Sequence, residues 1–330
     1  MSSGQTRKRV LIGACALIVL AIAGVIAEPT GVVRGWLAGD RFFGDRPTRF
    51  WIEQLQDGPA EREAARTALE KGDADSAAML VDILKQSGGA KGVELRWSAI
   101  EMLAKKGVSG PEVQEALLVA VKDADPLVQS VAAGALAKTG TPADRAVPAL
   151  IELLPTQHSV IASRTLSEYR SEAEPAIPAL IELLSDASQP TEARWNAART
   201  LGKVGPKGAS AVKALVTASR DPEPTIREHS VEAIGDIGPA AAPEGLPALV
   251  AALSDEYFKA RRDAVRSMGY IGELSRPHLA EIRRLLNDPE EIVRTAARTA
   301  IKAIDPDAEL PPENPAAQQP NLGNSTPQAQ

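Results

Sequence analysis

The seven-residue stretch PALIELL occurs twice in this chain, at Pro148–Leu154 and at Pro178–Leu184, and a relative, PALVAAL, lies at Pro247–Leu253. Seven identical residues do not recur by chance in a chain of 330 residues, so the stretch marks an internal repeat. Its Leu and Ile residues fall on one side of a helix, and so short a helix cannot bury that side alone. We interpret PALIELL as a helix that is stabilised by stacking on its neighbours.

A second helix alternates with the PALIELL helix and carries an Arg, an Ala three residues later and a large aliphatic residue seven residues later. We call it the Arg helix, because these spacings form one helix face. A Gly, which can close a helix in the left-handed conformation, often follows the Arg position by eleven residues. Eight copies, 30 to 35 residues apart, predict an all-α solenoid of about eight hairpins, each with the Arg helix first. The Arg positions are Arg62, Arg96, Gln129, Ser159, Arg194, Arg227, Arg261 and Arg294.

The composition supports a helical fold and excludes several function classes. Apolar residues make up 44% of the chain and aromatic residues only 3%, so the core is aliphatic and rich in Ala. The net charge is −6 without a basic block, which argues against nucleic acid as a partner. The single Cys, Cys15, excludes a disulfide framework and a Cys-based metal site.

The two ends of the chain differ from the repeats. Three cations, Arg7 to Arg9, precede the uncharged run Val10–Ala27, which predicts a membrane anchor or a cleaved signal helix in residues 1–27. Either alternative places the repeats outside the cytoplasm, membrane-anchored or secreted. We predict a linker at 28–46, in which Trp36, Phe42 and Phe43 either lie at the membrane interface or cap the first repeat. The repeats follow at 47–305, and a disordered tail, rich in Pro, Gln and Asn, at 306–330.

The turns before two Arg helices carry a family resemblance. Asp221–Arg227 reads DPEPTIR and Asp288–Arg294 reads DPEEIVR, with an Asp-Pro turn six residues before the Arg. This pattern resembles the HEAT repeat, and the short period is similar to the HEAT-like repeats of phycobilin lyases. Phe50–Leu55, FWIEQL, resembles the start of bacterial extracytoplasmic HEAT-repeat proteins. The resemblance implies the fold over 47–305 and leaves the function open.

The repeated acidic and basic positions predict a structural ladder. An Asp lies six residues before several Arg positions, where it can cap the helix, and the Arg can pair with an Asp of its own or of the adjacent repeat. A catalytic group would occur once, so we predict no catalytic, cofactor or metal site; the three His residues also share no repeat position. The ladder residues are Asp221, Arg227, Asp255, Arg261, Asp288 and Arg294.

Four residues are candidates for contact with a partner. Trp97 and Trp195 follow the repeat Arg at a position that is mostly polar in the other repeats. Each Trp either packs against the adjacent repeat or anchors a bound protein. His158 and Tyr169 occur in the fourth repeat, which lacks the Arg and the closing Gly, and which either bends the solenoid or presents a specific surface.

Two hypotheses for the function follow. The first is a non-catalytic scaffold that binds a protein or peptide on the extracytoplasmic side of a membrane, attached through the N-terminal helix. The alternative is a HEAT-like lyase, or a subunit associated with one, that acts on a protein-bound chromophore. A lyase requires a unique polar cluster inside a groove, and the fourth repeat is the one place where the sequence offers it. The oligomeric state stays open.

Overall fold

The computed structural model describes residues 23–24 and 31–312. They belong to two compact units, Met1–Thr141 and Pro142–Gln330. The fold is all-α, as the repeat pattern predicts, and the small antiparallel ribbon near the N-terminus contains four residues.

The N-terminal unit contains a short helix, the ribbon and three helical hairpins. The elements are α1 (Val32–Ala38), β1 (Phe42–Phe43), β2 (Arg46–Pro47), α2 (Thr48–Gln56), α3 (Pro59–Lys71), α4 (Ala74–Gln86), α5 (Val93–Lys106), α6 (Pro111–Ala120) and α7 (Pro126–Ala135).

The C-terminal unit contains five helical hairpins, with 3₁₀ turns after most of the Arg helices. The α-helices are α8 (Ala143–Leu153), α9 (Ser159–Leu166), α10 (Ile177–Ser185), α11 (Thr191–Lys203), α12 (Val212–Ala218), α13 (Pro224–Ile237), α14 (Ala242–Ala252), α15 (Phe258–Ile271), α16 (Leu279–Arg284) and α17 (Glu291–Ile304).

The number of hairpins agrees with the sequence pattern, but their internal order does not. Each PALIELL helix packs against the Arg helix that follows it, as α10 does against α11 and α12 against α13. The predicted order, with the Arg helix first, is therefore wrong. The reason lies in the turns: a short Asp-Pro turn keeps two helices adjacent, whereas α11 leads through a left-handed Gly into the 3₁₀ turn Gly205–Ala211.

The face predicted to be buried is buried in every repeat. The residues three and seven positions after the Arg position are at most 3% exposed throughout, as Ala264 and Met268 show at 0%. Successive Arg helices of the C-terminal unit stack directly on one another through these small and aliphatic side chains. The Ala-rich composition is thus the consequence of helices that lie close together.

Glycines in the last turn of two Arg helices allow this close approach. Gly202 lies against Ala233 of the next Arg helix, and Gly235 lies against Ser267 of the one after. A Cβ on Gly202 would meet the Ala233 Cα at 2.6 Å, and a Cβ on Gly235 would meet the Ser267 Cα at 2.6 Å. Both distances are shorter than a carbon–carbon contact allows, so Gly is required for this spacing.

The predicted linker is folded from residue 31 onward, and its residues cap the first hairpin, which is one of the two roles that the sequence left open for Phe43. The Trp51 indole Nε1 donates a hydrogen bond to the Phe43 carbonyl at 3.1 Å, and the two rings lie 5.5 Å apart. Arg49 forms an ion pair with Asp40 at 2.7 Å. The aromatic residue Phe43 therefore closes the exposed end of the core.

The predicted membrane segment, Val10–Ala27, lies outside the described residues apart from Ala23 and Gly24. Among the helices that the structure does describe, none is long and apolar enough to cross a bilayer.

The predicted disordered tail begins too early. Ala308 is buried, the Glu309 carbonyl accepts a hydrogen bond from Arg283 at 3.0 Å, and the Pro311 carbonyl accepts one from Arg298 at 2.8 Å. Residues 306–311 therefore pack on the last hairpin, while 313–330 lie outside the described residues.

Deleting the chain from Pro306 onward should lower the melting temperature by about 2–4 °C, because the last hairpin loses a packed segment worth about 1 kcal/mol. Thermal unfolding followed by circular dichroism measures the change. A chain that ends at Pro312 is the control and should melt with the full chain, since its tail composition offers little to bury. Equal melting of both deletions would show that residues 306–311 contribute nothing.

Candidate functional site

The ladder connects successive hairpins through bidentate ion pairs. Arg227 Nε and Nη2 donate to the two carboxylate oxygens of Asp255 at 2.8 and 3.0 Å. Arg261 binds Asp288 in the same way at 2.8 and 2.9 Å. Each Arg therefore pairs with the Asp that precedes the next Arg helix along the chain. The Arg96–Asp123 pair repeats this bidentate contact. Arg194 reaches Asp221 through Nη2 alone, at 2.6 Å, while its Nε donates to the Leu184 carbonyl.

Each Arg also holds its own turn. Arg227 Nη1 donates to the carbonyls of Asp221 and Pro222, and Arg294 Nη1 donates to those of Asp288 and Pro289. One guanidinium thus fixes the turn of its own hairpin, and in the paired repeats it also fixes the turn of the next one. The arrangement is structural, since its donors are saturated by backbone and carboxylate oxygens.

The ladder Asp does not cap the helix, as the sequence had suggested it could. Asp255 accepts a hydrogen bond from the backbone N–H of Tyr257, two residues on, so it closes the turn before the helix begins. Burial alone would raise the pKa of Asp255. Hydrogen bonds from Arg227 and from the Tyr257 N–H outweigh burial, and they hold the pKa of Asp255 below its ordinary value.

The fourth repeat lacks this pair. Ser159 stands at the Arg position, and Asp186 stands 27 residues later, the separation that joins Arg261 to Asp288. Asp186 instead accepts hydrogen bonds from the Ser188 hydroxyl at 2.6 Å and from its backbone N–H at 2.9 Å. These bonds lower the pKa of Asp186, so the carboxylate is stabilised within its own turn.

The fourth repeat also strains its backbone. Arg170 occupies the closing position with φ 50° and ψ −125°, where other repeats have glycines at positive φ, such as Gly205 at 71° and Gly238 at 78°. The closing glycines have the positive φ that the sequence predicts, but only some are left-handed helical: Gly107 has ψ 27°, whereas Gly238 has ψ −149°. A side chain in this conformation costs about 1–3 kcal/mol.

Arg170→Gly should therefore raise the free energy of unfolding by about 1 kcal/mol, because relief of the strain exceeds the entropy that Gly loses on folding. Urea denaturation gives the difference. The inverse change, Gly205→Ala, is the matched control and should cost about 1–2 kcal/mol, since its new Cβ meets no atom within 4 Å and only the conformation is penalised. A destabilised Arg170→Gly would mean that the Arg170 side chain holds this turn.

The structure does not place the fourth-repeat candidates on a surface. His158 is 6% exposed, and its Nε2 makes no hydrogen bond with the described residues. Tyr169 is 9% exposed, and burial, followed by the charge of Glu172, raises its pKa. Both residues are part of the core of this repeat, so the prediction that they present a partner-specific surface is wrong. The lyase alternative stays a hypothesis.

Trp195 packs between hairpins. Its ring stacks on the His229 ring of the next Arg helix, with centroids 4.8 Å apart and an angle of 29°. His229 Nδ1 lies 2.9 Å from the Glu232 carboxylate, a contact that lowers the pKa of Glu232. Trp195 is half-buried by this stack, which favours packing over anchoring. Trp97 is also half-buried, and its role as a partner anchor stays a prediction.

An apolar cleft in the N-terminal unit is the candidate binding site. It has a volume of about 590 Å³ and lies between the second and third hairpins, α4–α5 and α6–α7. Leu84, Val93 and Val119 contribute apolar walls, and Val119 is 65% exposed. The Arg96–Asp123 ion pair, with both side chains mostly buried, lines the cleft as well.

The repeat pattern does not predict this cleft. The turn between α4 and α5 contains Gly88 and Gly89, and Gly89 has a positive φ of 72°. Both glycines and Ala90 line the cleft, and the small size of these residues leaves it open. The signal in the sequence is the replacement of the Asp-Pro turn by a Gly pair. Among the described residues, no group of acidic, His or Cys side chains is arranged to hold a metal ion.

Comparisons with known proteins identify the fold. A family model described as HEAT repeats matches residues 90–169 and 177–269, which is more than half of the chain. Comparison by sequence with curated proteins gives no match.

Three structures illustrate the similarity of fold. Importin beta, crystallised in an ammonium sulfate condition, is 17% identical with a TM-score of 0.52, and the match covers 78% of this chain and 41% of importin beta. A homology model of the full-length AP-3 complex is 16% identical with a TM-score of 0.56, covering 78% and 50%. Kap121p bound to Nup53p is 13% identical with a TM-score of 0.54, covering 78% and 33%.

These identities are low, so the structural similarity shows the fold alone, and this chain spans half or less of the length of these three chains. The family model rests on the repeats themselves and covers both units. The chain belongs to the HEAT-repeat family.

Proposed function

We propose that this chain is a non-catalytic scaffold that binds a protein or peptide through the apolar cleft of its N-terminal unit. HEAT-repeat solenoids are typical of protein interaction scaffolds. Two structures similar in fold carry protein partners, Kap95p with RanGDP and Kap121p with Nup53p. The repeated Arg and Asp side chains pair with one another in the ladder, so they are not available to bind a partner.

The cleft is the single observation that carries this proposal. Its volume lies in the range of about 300–1,000 Å³ that is typical of ligand sites, and its walls are mostly apolar. A partner that inserts aliphatic or aromatic side chains would cover Val93 and Val119 and gain the free energy of their burial. The Arg96–Asp123 pair is already satisfied, so the partner does not need to supply a charge there.

The sequence also supports a location for the scaffold. Three cations before the uncharged run Val10–Ala27 favour a membrane attachment with the repeats on the extracytoplasmic side. We therefore propose that the repeats are attached to a membrane and lie on its extracytoplasmic side. Protease added to intact cells or spheroplasts tests it, because only repeats on the outer side of the membrane would be digested.

The cleft is tested by a photo-crosslinking amino acid placed at Val119 in the full chain, in cells that produce it. We expect one dominant protein adduct at Val119 and none from the same probe at Lys213, an exposed position on α12 of the C-terminal unit. Ala90→Trp, which places an indole in the cleft from an exposed position, should reduce the adduct at least fivefold.

Thermal melting must show that Ala90→Trp leaves the fold intact. An adduct that Ala90→Trp does not reduce would contradict binding in the cleft. Equal crosslinking at Lys213 would indicate random collisions instead of a site.

A further inference from the structure

Helix α1 exposes an apolar face next to the first hairpin. Val33, Trp36 and Leu37 are 40%, 73% and 64% exposed. These are three of the eight large apolar side chains that are exposed among the described residues, and they occupy a helix of seven residues. Such a concentration marks an interaction surface, since single exposed apolar residues would be scattered.

The cap holds α1 in place, so this face is a fixed feature of the unit. Gly35 lies against Pro47, where a side chain on Gly35 would collide with the Pro ring. The Asp40 N–H donates to the Gly35 carbonyl at 2.9 Å, and the Asp40 carboxylate pairs with Arg49 at the start of the first hairpin. One side of α1 therefore packs on Pro47, and the side that carries Trp36 is exposed.

The chain upstream of α1 indicates what covers that side. The uncharged run ends at Ala27, six residues before Val33. Six residues span at most about 20 Å when extended, so α1 cannot be far from whatever holds this run. The headgroup layer of a bilayer is roughly 5–8 Å thick on each side of its hydrocarbon core, which is well within that reach.

The chemistry of α1 suits a headgroup layer. Trp is enriched at the boundary between hydrocarbon and water, because its ring is apolar and its N–H is polar. Helix α1 carries one charged residue, Arg34, and no carboxylate, so it contains nothing that anionic headgroups would repel. Short helices with Trp and Leu on one face lie in the plane of this layer.

We propose that Val33, Trp36 and Leu37 insert into the lipid headgroup layer of the membrane that holds the N-terminal segment. The contact fixes the cap, and with it the first hairpin, on the bilayer surface. This inference rests on the membrane location proposed above and adds a second attachment to it. The competing occupant of the same face is a second copy of this chain.

The test uses the fluorescence of the full chain in vesicles of phosphatidylcholine and phosphatidylglycerol, with and without bromine on the acyl chains. Bromine quenches only indoles that reach the lipid. We expect wild type and Trp97→Phe, the matched control, to be quenched at least twofold more than Trp36→Phe. Trp36 is exposed, so its substitution should leave the melting temperature unchanged.

Flotation of the vesicles separates the possible failures. A chain that floats but is quenched equally in all three forms overturns the contact of α1 and leaves the membrane location standing. A chain that does not float overturns both. A dimer in detergent that dissociates on Trp36→Ser, with no Trp36-dependent quenching in vesicles, would show that a second copy covers this face.

Discussion

Gly235→Ala should lower the free energy of unfolding by about 1–3 kcal/mol, although Ala is the better helix former by about 1 kcal/mol. The new Cβ would lie 2.6 Å from the Ser267 Cα of the next Arg helix, α15. Because the obstacle is backbone, no side-chain rotation relieves the overlap, and α13 and α15 must move apart. That movement disturbs the tightly stacked core of the C-terminal unit. Urea denaturation followed by circular dichroism gives the difference.

The matched control is Gly269→Ala, at the same repeat position one hairpin later. There the added Cβ would meet the Ala300 Cα at 3.2 Å, which a small shift can accommodate. The gain in helix propensity then offsets the contact, so we expect a change within about 0.5 kcal/mol of zero. Equal effects at Gly235 and Gly269 would show that the contact distance does not govern stability here.

The eight hairpins and their buried faces could be predicted because the signal is local. A spacing of three and seven residues places Ala264 and Met268 on one face wherever the chain is helical. A closing Gly such as Gly238 also predicts a positive φ at its own position. Neither prediction requires knowledge of which helix becomes the neighbour.

Features that depend on residues distant in the sequence could not be predicted in this way. The polar segment 306–311 is ordered because the Glu309 and Pro311 carbonyls accept hydrogen bonds from Arg283 and Arg298. Every residue has a backbone carbonyl, so the sequence does not show which carbonyls will be bonded. Gly235 occurs in an ordinary helical pattern, and only the approach of Ser267 explains why it is Gly. The polarity of His158 predicts an exposed side chain, whereas the packing of the fourth repeat buries it.

The candidate site was the least predictable part. The cleft exists because the Gly88–Gly89 turn departs from the Asp-Pro turn of other repeats, so it arises from an irregularity in the repeat. Trp97 and Trp195 stand out in the sequence as candidates for partner contact, because Trp is rare in this chain. Exposed Val119 attracts no notice in a sequence in which nearly half of the residues are apolar.

Arg227→Ala has the largest expected effect, a loss of about 3 kcal/mol in the free energy of unfolding. The substitution leaves Asp255, whose side chain is 10% exposed, without its bidentate partner, and it also removes the bonds to the carbonyls of Asp221 and Pro222. Breaking a buried ion pair from one side costs about 3–5 kcal/mol, because the remaining charge stays desolvated. The side chains of this pair are 11% and 10% exposed, so we expect a cost at the low end of this range. Urea denaturation at pH 7 provides the measurement.

Glu256→Ala is the control, since Glu256 also lies 3.3 Å from Arg227 but its side chain is 86% exposed, and its loss should cost less than about 0.5 kcal/mol.

The dependence on pH identifies the mechanism. Because the folded pKa of Asp255 is lowered, the pair contributes fully above the unfolded pKa of ~3.9 and loses its contribution as the pH falls through the folded pKa. The difference between wild type and Arg227→Ala should thus be constant from about pH 5 to 8 and shrink below about pH 4. A difference that persists unchanged in acid would mean that Arg227 acts through packing and its carbonyl contacts instead of through the Asp255 carboxylate.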